Sequence, residues 1–240
     1  MMQDILTVMW HEWRALFQAR GGRSRFFMVL LSPLFMSVVV PWNLGREWLS
    51  SFLVTLISAV IAFLIAGTLI PDAFAGERER ETLETLLATR LPDRAILLGK
   101  WLTAVLFALG VVVAMLGVSL VVANIRAWEG RVQWYAPTTG WGSLALATVV
   151  ATLVGGLGII ISLHAATVQQ AAVLLMAVLL VPAMALQAAA LLMSDRLAKL
   201  LDVLQGKPVL PVVIGVLAVV DVATFALALA RFRRAKLIAS

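Results

Sequence analysis

The residues best suited to chemistry form one polar segment in an otherwise apolar chain. Residues Asp72–Arg94 read DAFAGERERETLETLLATRLPDR, with acidic and basic side chains crowded near the start. Leucines recur at helical spacing from Leu83 to Leu91, with glutamates on other faces, which predicts a short amphipathic helix that ends at Pro92. Such a helix is typical either of a segment among lipid headgroups or of a docking surface for another protein. Periodicity alone favours neither.

Catalytic and metal-binding patterns are not predicted. The chain has no cysteine and only two histidines, His11 and His164, and no second ligand accompanies either at metal-binding spacing. Ser162 is close to His164 in sequence, but residues two apart on a helix point to different faces, which argues against a serine hydrolase. We therefore expect no catalytic residue, metal ligand or bound cofactor on this chain.

A nucleotide-phosphate loop is not predicted either. The pattern G-x-x-x-x-G-K-[ST] would need a hydroxyl residue after Gly99-Lys100, where Trp101 stands, and a glycine at Arg94. The chain therefore cannot bind a nucleotide phosphate in the usual way.

The composition indicates an all-α integral membrane protein. Hydrophobic residues make up 62% of the 240 residues and charged residues 13%, against about 45–50% and about 25% in soluble domains. A span needs roughly 20 apolar residues. Six runs approach that length and predict six transmembrane helices: Phe26–Trp42, Ser51–Ile70, Ile96–Ala123, Leu144–Leu163, Ala171–Met193 and Val209–Ala230.

These spans predict a single transmembrane domain over residues 1–240. Residues 1–25 form an amphipathic helix in the membrane interface, with apolar positions from Ile5 to Phe17 at helical spacing. Residues 26–230 hold the six spans, and residues 231–240 form a basic tail. A short extracellular amphipathic helix, Ser194–Gln205, is predicted before the sixth span.

The distribution of basic residues predicts the orientation. With both termini in the cytoplasm, cytoplasmic segments carry 13 of the 19 lysines and arginines, as the positive-inside rule requires. The polar segment between spans two and three is then cytoplasmic, and Lys100 is expected at the headgroups. The net charge of +6 favours anionic lipids as counter-charge, and no nucleic acid partner is expected.

Asp221 is the one acidic residue predicted near the membrane midplane. An ionisable group at that depth is costly and is a candidate functional residue. The alternative is a carboxyl group hydrogen-bonded to a neighbouring helix, for instance through Gln187.

Small residues in span three (Gly110, Gly117) and in span four (Gly155, Gly156, Gly158) predict close helix packing.

The polar segment resembles the ABC-2 type permeases, the membrane subunits of ATP-driven exporters. The resemblance is carried by Phe74–Thr89 (FAGERERETLETLLAT), then by Pro92, Arg94, Ile96, Leu97, Gly99 and Lys100. It implies that this segment holds a coupling helix that contacts a separate ATP-binding subunit. The contact residues carried over from the family pattern are Glu77, Arg78, Glu79, Glu81, Leu83, Glu84 and Leu86.

The resemblance also implies the partners and the setting. ATP and Mg²⁺ would be held by the partner subunit, and a second permease subunit, identical or not, would complete the substrate path. The protein would be a multi-pass protein of a bacterial or archaeal cell membrane. A haem-exporter permease of cytochrome maturation, a self-contained secondary transporter and a membrane enzyme acting on lipid-linked substrates are the alternatives.

Overall fold

All regular structure in the described residues is helical. The computed structural model of the chain describes residues 1–18, 22–80, 92–192 and 209–231. Two short 3-10 helices, Gly45–Ser50 and Pro71–Ala73, lead into α3 and α4. The α-helices, numbered in chain order, are α1 Met2–Gln18, α2 Gly22–Leu44, α3 Phe52–Leu69, α4 Ala75–Glu79, α5 Asp93–Arg126, α6 Pro137–Ser162, α7 Val168–Leu192 and α8 Val209–Arg231.

Four helical stretches are long and apolar enough to cross a membrane. They coincide with predicted spans two, three, four and six, and are Phe52–Ala73, Asp93–Arg126, Pro137–Ser162 and Leu210–Leu229. Helices α2 and α7 cover predicted spans one and five, and the apolar stretch of α7 within the described part is the shorter Val168–Pro182. A helical membrane protein is therefore confirmed, and the count of six spans stays a prediction.

Three predicted features lie outside the described residues. They are the amphipathic helix around Leu83–Leu91, the extracellular helix Ser194–Gln205 and the basic tail beyond Arg231. These stay predictions from the sequence.

Helix α6 lies at the centre of the bundle, with α3, α5, α7 and α8 packed around it. Its glycines permit this close contact. A Cβ atom on Gly158 would lie 2.3 Å from Ile70 Cγ2, and one on Gly155 would lie 2.6 Å from Trp101 Nε1. Both separations are shorter than atoms tolerate, so only glycine fits there. The predicted packing role of the span-four glycines is confirmed.

The corresponding packing for span three is not found among the described residues. Cβ atoms built on Gly110 and Gly117 of α5 would meet no described atom within 4 Å. These glycines lie on a part of α5 that faces away from its described neighbours. The presence of small residues does not by itself show which side of a helix is packed.

Helices α3 and α6 run side by side in the same direction. The hydroxyls of Thr55 and Ser143 lie 3.2 Å apart near the start of both helices. Near their ends, Ser162 contacts Pro71. The ends of α3 and α6 therefore meet at the same end of the bundle as α4 and the start of α5. We call this the motif end, because it carries Gly76–Arg80 and Gly99–Lys100, and we call the opposite one the far end.

Helix α1 packs on α5 through one side. Val8 is buried, whereas Leu6 and Trp10 are exposed to 58% and 60%. Trp13 makes an edge-on ring contact with Phe107 at 5.9 Å between centroids. The predicted helix is confirmed, and its position in the membrane interface stays a prediction that its exposed apolar residues favour.

Polar contacts close the far end. Gly45 adopts a positive φ of 55° in the turn after α2, and Arg46 forms an ion pair with Glu129 at 2.9 Å. Asn124 accepts from the Gln133 backbone N–H at 2.7 Å and donates to its carbonyl at 2.9 Å. These bonds hold the connection between α5 and α6 against the end of α2.

Tyr135 in this connection provides a test of the far end. It is the only tyrosine in the chain; its hydroxyl donates to the Leu116 carbonyl at 3.0 Å and lies 2.6 Å from Ser119 Oγ. Burial raises the pKa of Tyr135 above its ordinary value of 10.0, because the phenolate loses hydration there. The neutral phenol therefore contributes stability below pH 10 that is lost as the pH rises further.

We predict that tyrosinate absorbance in the folded, detergent-solubilised protein rises at a higher pH than in the denatured chain. A spectrophotometric titration of both states measures Tyr135 alone, since tryptophan does not titrate. A folded-state midpoint at or below that of the denatured chain would contradict the described packing of the far end.

Candidate functional site

A sharp turn at the motif end brings α4 back against the end of α3. A Cβ atom on Gly76 would lie 2.2 Å from Asp72 Oδ1, so a larger residue would displace the Asp72 carboxylate. Asp72 forms an ion pair with Arg80 at 3.0 Å. The glycine of the GERER sequence therefore leaves room for the Asp72 carboxylate, and the ion pair with Arg80 closes the turn on its exposed side.

Ser162, at the end of α6, pins the same turn from inside. Its hydroxyl donates to the Pro71 carbonyl at 3.0 Å and accepts from the backbone N–H groups of Phe74 at 3.2 Å and Ala75 at 3.0 Å. A serine hydroxyl has one donor and two acceptor positions, so every one is used. Ser162 is fully buried, and its role here is to satisfy backbone groups that the turn leaves unpaired.

Lys100 links three helices at a buried point next to this turn. Its ammonium nitrogen lies 2.6 Å from Glu12 Oε1 of α1 and 3.3 Å from Glu77 Oε1 of α4. The Lys100 side chain is only 2% exposed, and its nitrogen lies 5.8 Å from the centre of the Phe74 ring. The expectation of a Lys100 side chain that reaches out to the lipid headgroups is therefore wrong, because two carboxylates inside the protein provide its counter-charge.

Gly99 explains how α1 comes close enough for this ion pair. A Cβ atom on Gly99 would lie 2.6 Å from Val8 Cβ and 3.3 Å from the Ile5 carbonyl oxygen. Helix α1 therefore crosses α5 at Gly99, and the next residue, Lys100, meets Glu12 one turn further along α1. The Gly-Lys pair of the sequence motif combines a close helix crossing with the charge that secures it.

Arg78 and Glu79 attach α4 to the connection between α6 and α7. Arg78 donates to the carbonyl oxygens of Leu163, at 2.9 Å, and of Ala165. Glu79 accepts from the backbone N–H of Val168 at 3.1 Å. Val168 begins α7, where the helix dipole favours a negative charge. Five helices thus converge on the GERER sequence and its neighbours, a set that we call the hub: Glu12, Asp72, Phe74, Gly76–Arg80, Gly99, Lys100, Ser162 and Leu163–Val168.

The hub contains three of the seven predicted partner-contact residues, Glu77, Arg78 and Glu79. Their described bonds are all within the chain. The other four, Glu81, Leu83, Glu84 and Leu86, lie outside the described residues. Sequence reasoning did not identify Glu12, Lys100 or Ser162 as site residues. The presence of Gly99-Lys100 at the end of the sequence motif could have identified Lys100 as a site residue. No pattern in the sequence near Glu12 indicates that it pairs with Lys100.

Asp221 lies far from the hub, in the middle of α8. Helix α8 runs alongside α6, and the Asp221 side chain lies beside Thr152. Its Oδ1 atom is buried and has no hydrogen-bond partner among the described residues. Gln187, the partner considered from the sequence, has no described side chain. Asp221 therefore stays a candidate functional residue, with Thr152 as its described neighbour.

We predict that Ser162→Ala lowers the thermal stability of the protein in detergent. The substitution leaves buried backbone groups at Phe74 and Ala75 unpaired, at about 1–3 kcal/mol for each lost partner. Thr148→Val is the matched control, because the Thr148 hydroxyl is exposed and bonds only to the Leu144 carbonyl of its own helix. Equal melting temperatures for the two variants would contradict the role assigned to Ser162.

Comparison with known proteins places the chain in a family. The family model described as ABC-2 type transporter matches residues 3–187, a range that includes the hub and four of the predicted spans in full. Among curated proteins, none matches the chain. The match extends well beyond the motif in Phe74–Lys100, and it covers more than three quarters of the sequence. The chain belongs to the ABC-2 type transporter family, as a membrane-spanning permease component.

Proposed function

We propose that this protein is the permease subunit of an ABC-type exporter, driven by a separate ATP-binding subunit. The permease forms the substrate path, and the partner binds and hydrolyses ATP with Mg²⁺. The chain itself has no phosphate-binding loop in its sequence, which agrees with an energy source on another subunit. In this account the chain transmits movement and does no chemistry of its own.

The observation that carries the proposal is that one polar segment is joined to the hub at its start and to α5 at its end. The segment of residues 81–91 begins directly after Arg80, which is bonded to Asp72. It returns at Pro92, whose carbonyl accepts from the backbone N–H of Ala95 in the first turn of α5. A force applied to this segment therefore acts on α3, α5 and, through Arg78 and Glu79, on the connection to α7.

We call residues 81–91 the coupling segment. Under this proposal, the predicted partner-contact residues divide into two groups. Glu81, Leu83, Glu84 and Leu86 supply the surface that contacts the ATP-binding subunit, with leucines at the centre and carboxylates around them. Glu77 and Arg78 connect that surface to the bundle through Lys100 and the Leu163 carbonyl. Glu79 is exposed and contributes to both groups.

We infer the membrane arrangement from the same proposal. The hub lies on the cytoplasmic side, where ATP is available, so both termini are cytoplasmic and the six predicted spans carry the far end to the outside. Helices α2, α7 and α8 each expose apolar residues, among them Phe35, Val181 and Val219. These exposed apolar faces meet lipid or the second permease subunit. The membrane would be a bacterial or archaeal cell membrane.

A self-contained secondary transporter is the second candidate, and Asp221 is the observation that favours it. An intramembrane carboxylate with a buried, unpartnered oxygen is suited to bind a cation or a proton. Such a transporter would work without an ATP-binding subunit, so the experiment below separates the two candidates. A haem-exporter permease remains a narrower form of the main proposal.

We expect the ATP-binding subunit encoded beside this gene to co-purify with the protein, and we expect Glu84→Ala plus Leu86→Ala to abolish that co-purification. The double variant removes a charge and a leucine from the proposed contact surface. The matched control is Glu47→Ala plus Leu53→Ala, which changes the same residue types at exposed positions of the far end.

The wild type and the control should retain the ATP-binding subunit to the same extent. A wild-type protein that purifies alone, or a double variant that holds the subunit as well as the wild type, would overturn the proposal and direct attention to Asp221.

A further inference from the structure

Lys100 of α5 is a buried cation that forms ion pairs with α1 and α4, two helices that lie far apart in the sequence. Glu12 is 88 residues from Lys100 and Glu77 is 23 residues from it. Both carboxylates are mostly buried, with side-chain exposures of 22% and 19%. A buried charge without a counter-charge is unfavourable, so the three side chains stay together as long as the hub is intact.

We propose that Lys100 is a positioning residue that makes α1 part of the coupling unit. Its ammonium group holds Glu12 of α1 and Glu77 of α4 at one point of α5, so α1 moves together with the coupling segment. The inference rests on the proposed function, because it assigns α1 a part in transmitting the movement of the ATP-binding subunit. Without this ion pair, an amphipathic N-terminal helix would be expected only to lie on the membrane surface.

Three contacts support a rigid attachment of α1. Val8 packs directly on Gly99, and the Trp13 and Phe107 rings meet two turns further along α5. The Glu12–Lys100 ion pair lies between these two apolar contacts. Apolar packing alone tolerates sliding of one helix along another, whereas a hydrogen-bonded ion pair of 2.6 Å fixes a single register.

The charge balance predicts which variants separate α1 from the hub without unfolding it. Glu12→Gln removes one carboxylate and leaves Lys100 paired with Glu77, so the buried ammonium group keeps a counter-charge. Lys100→Met is harsher, because it leaves the Glu12 and Glu77 carboxylates close together with no cation between them. The combination Glu12→Lys, Lys100→Glu and Glu77→Gln exchanges the charges of α1 and α5 and restores an attractive pair between them. The added Glu77→Gln replaces a carboxylate that would repel the one at position 100 by a neutral amide.

The first measurement is the distance between α1 and α5 in the full-length protein. The chain contains no cysteine, so spin labels attach only to the exposed positions Gln3→Cys and Arg94→Cys. We expect Glu12→Gln to broaden the distance distribution and the charge exchange to narrow it again. The matched control is Glu129→Gln, which breaks the exposed ion pair with Arg46 at the far end and should leave the distribution unchanged.

The second measurement is the ATPase activity of the complex relative to that of the ATP-binding subunit alone. With the coupling segment unaltered, Glu12→Gln should still co-purify the subunit. The stimulation of ATP hydrolysis by the permease should fall by about fivefold or more, the size of a typical coupling between sites. The charge exchange should recover it, and Glu129→Gln should have no effect.

The outcomes separate this inference from the proposed function. A wild-type complex that forms, with Glu12→Gln altering neither the distance distribution nor the stimulation, overturns the role of Lys100 and leaves the proposed function standing. A broadened distribution with full stimulation shows that α1 is held by Lys100 but takes no part in coupling, which also overturns the inference. A wild type that recruits no ATP-binding subunit overturns both.

Discussion

The structure depends on a positive charge that has been removed from water. Burying an ammonium group costs several kcal/mol even after relaxation, and Lys100 is almost completely buried at the start of a membrane-spanning helix. The fold meets this constraint by bringing Glu12 from the N-terminal helix and Glu77 from the turn after α3 to the same point. Because each partner comes from a different part of the chain, satisfying one lysine also fixes how α1, α4 and α5 are arranged.

The rest of the hub follows from the sharp turn that delivers Glu77 to that point. A turn buried against a helix bundle leaves backbone groups without partners, and each must find a hydrogen bond. Ser162 supplies three such bonds from the end of α6, and Gly76 gives the space in which the turn closes on Asp72. The described residues of the sequence motif, Phe74–Arg80 and Gly99–Lys100, are thus explained largely by contacts inside the protein. The proposed contact with an ATP-binding subunit then needs only the leucines and glutamates of the segment beyond Arg80.

Features that depend on local sequence could be predicted, and those that depend on distant partners could not. Apolar length and helical spacing are local, so the helical membrane fold and α1 are confirmed, and four of the predicted spans coincide with helices long and apolar enough to cross a membrane. Close packing was predicted from glycine content in both α5 and α6, and it holds at Gly158 but not at Gly110. Lys100 was expected at the lipid headgroups because the third span is long enough to protrude into the cytoplasm. Its partner Glu12 lies 88 residues away, a separation that no periodicity reveals.

The most direct test of the account is to ask which end of the bundle touches an ATP-binding subunit. Since the chain has no cysteine, a photoactivatable cross-linker can be attached to a single cysteine at Glu84, and in a second protein at Glu47 on the far end. In membranes that contain the neighbouring ATP-binding subunit, the account predicts cross-links to that subunit from position 84 and none from position 47. Cross-links from position 47, or none from position 84, would contradict it.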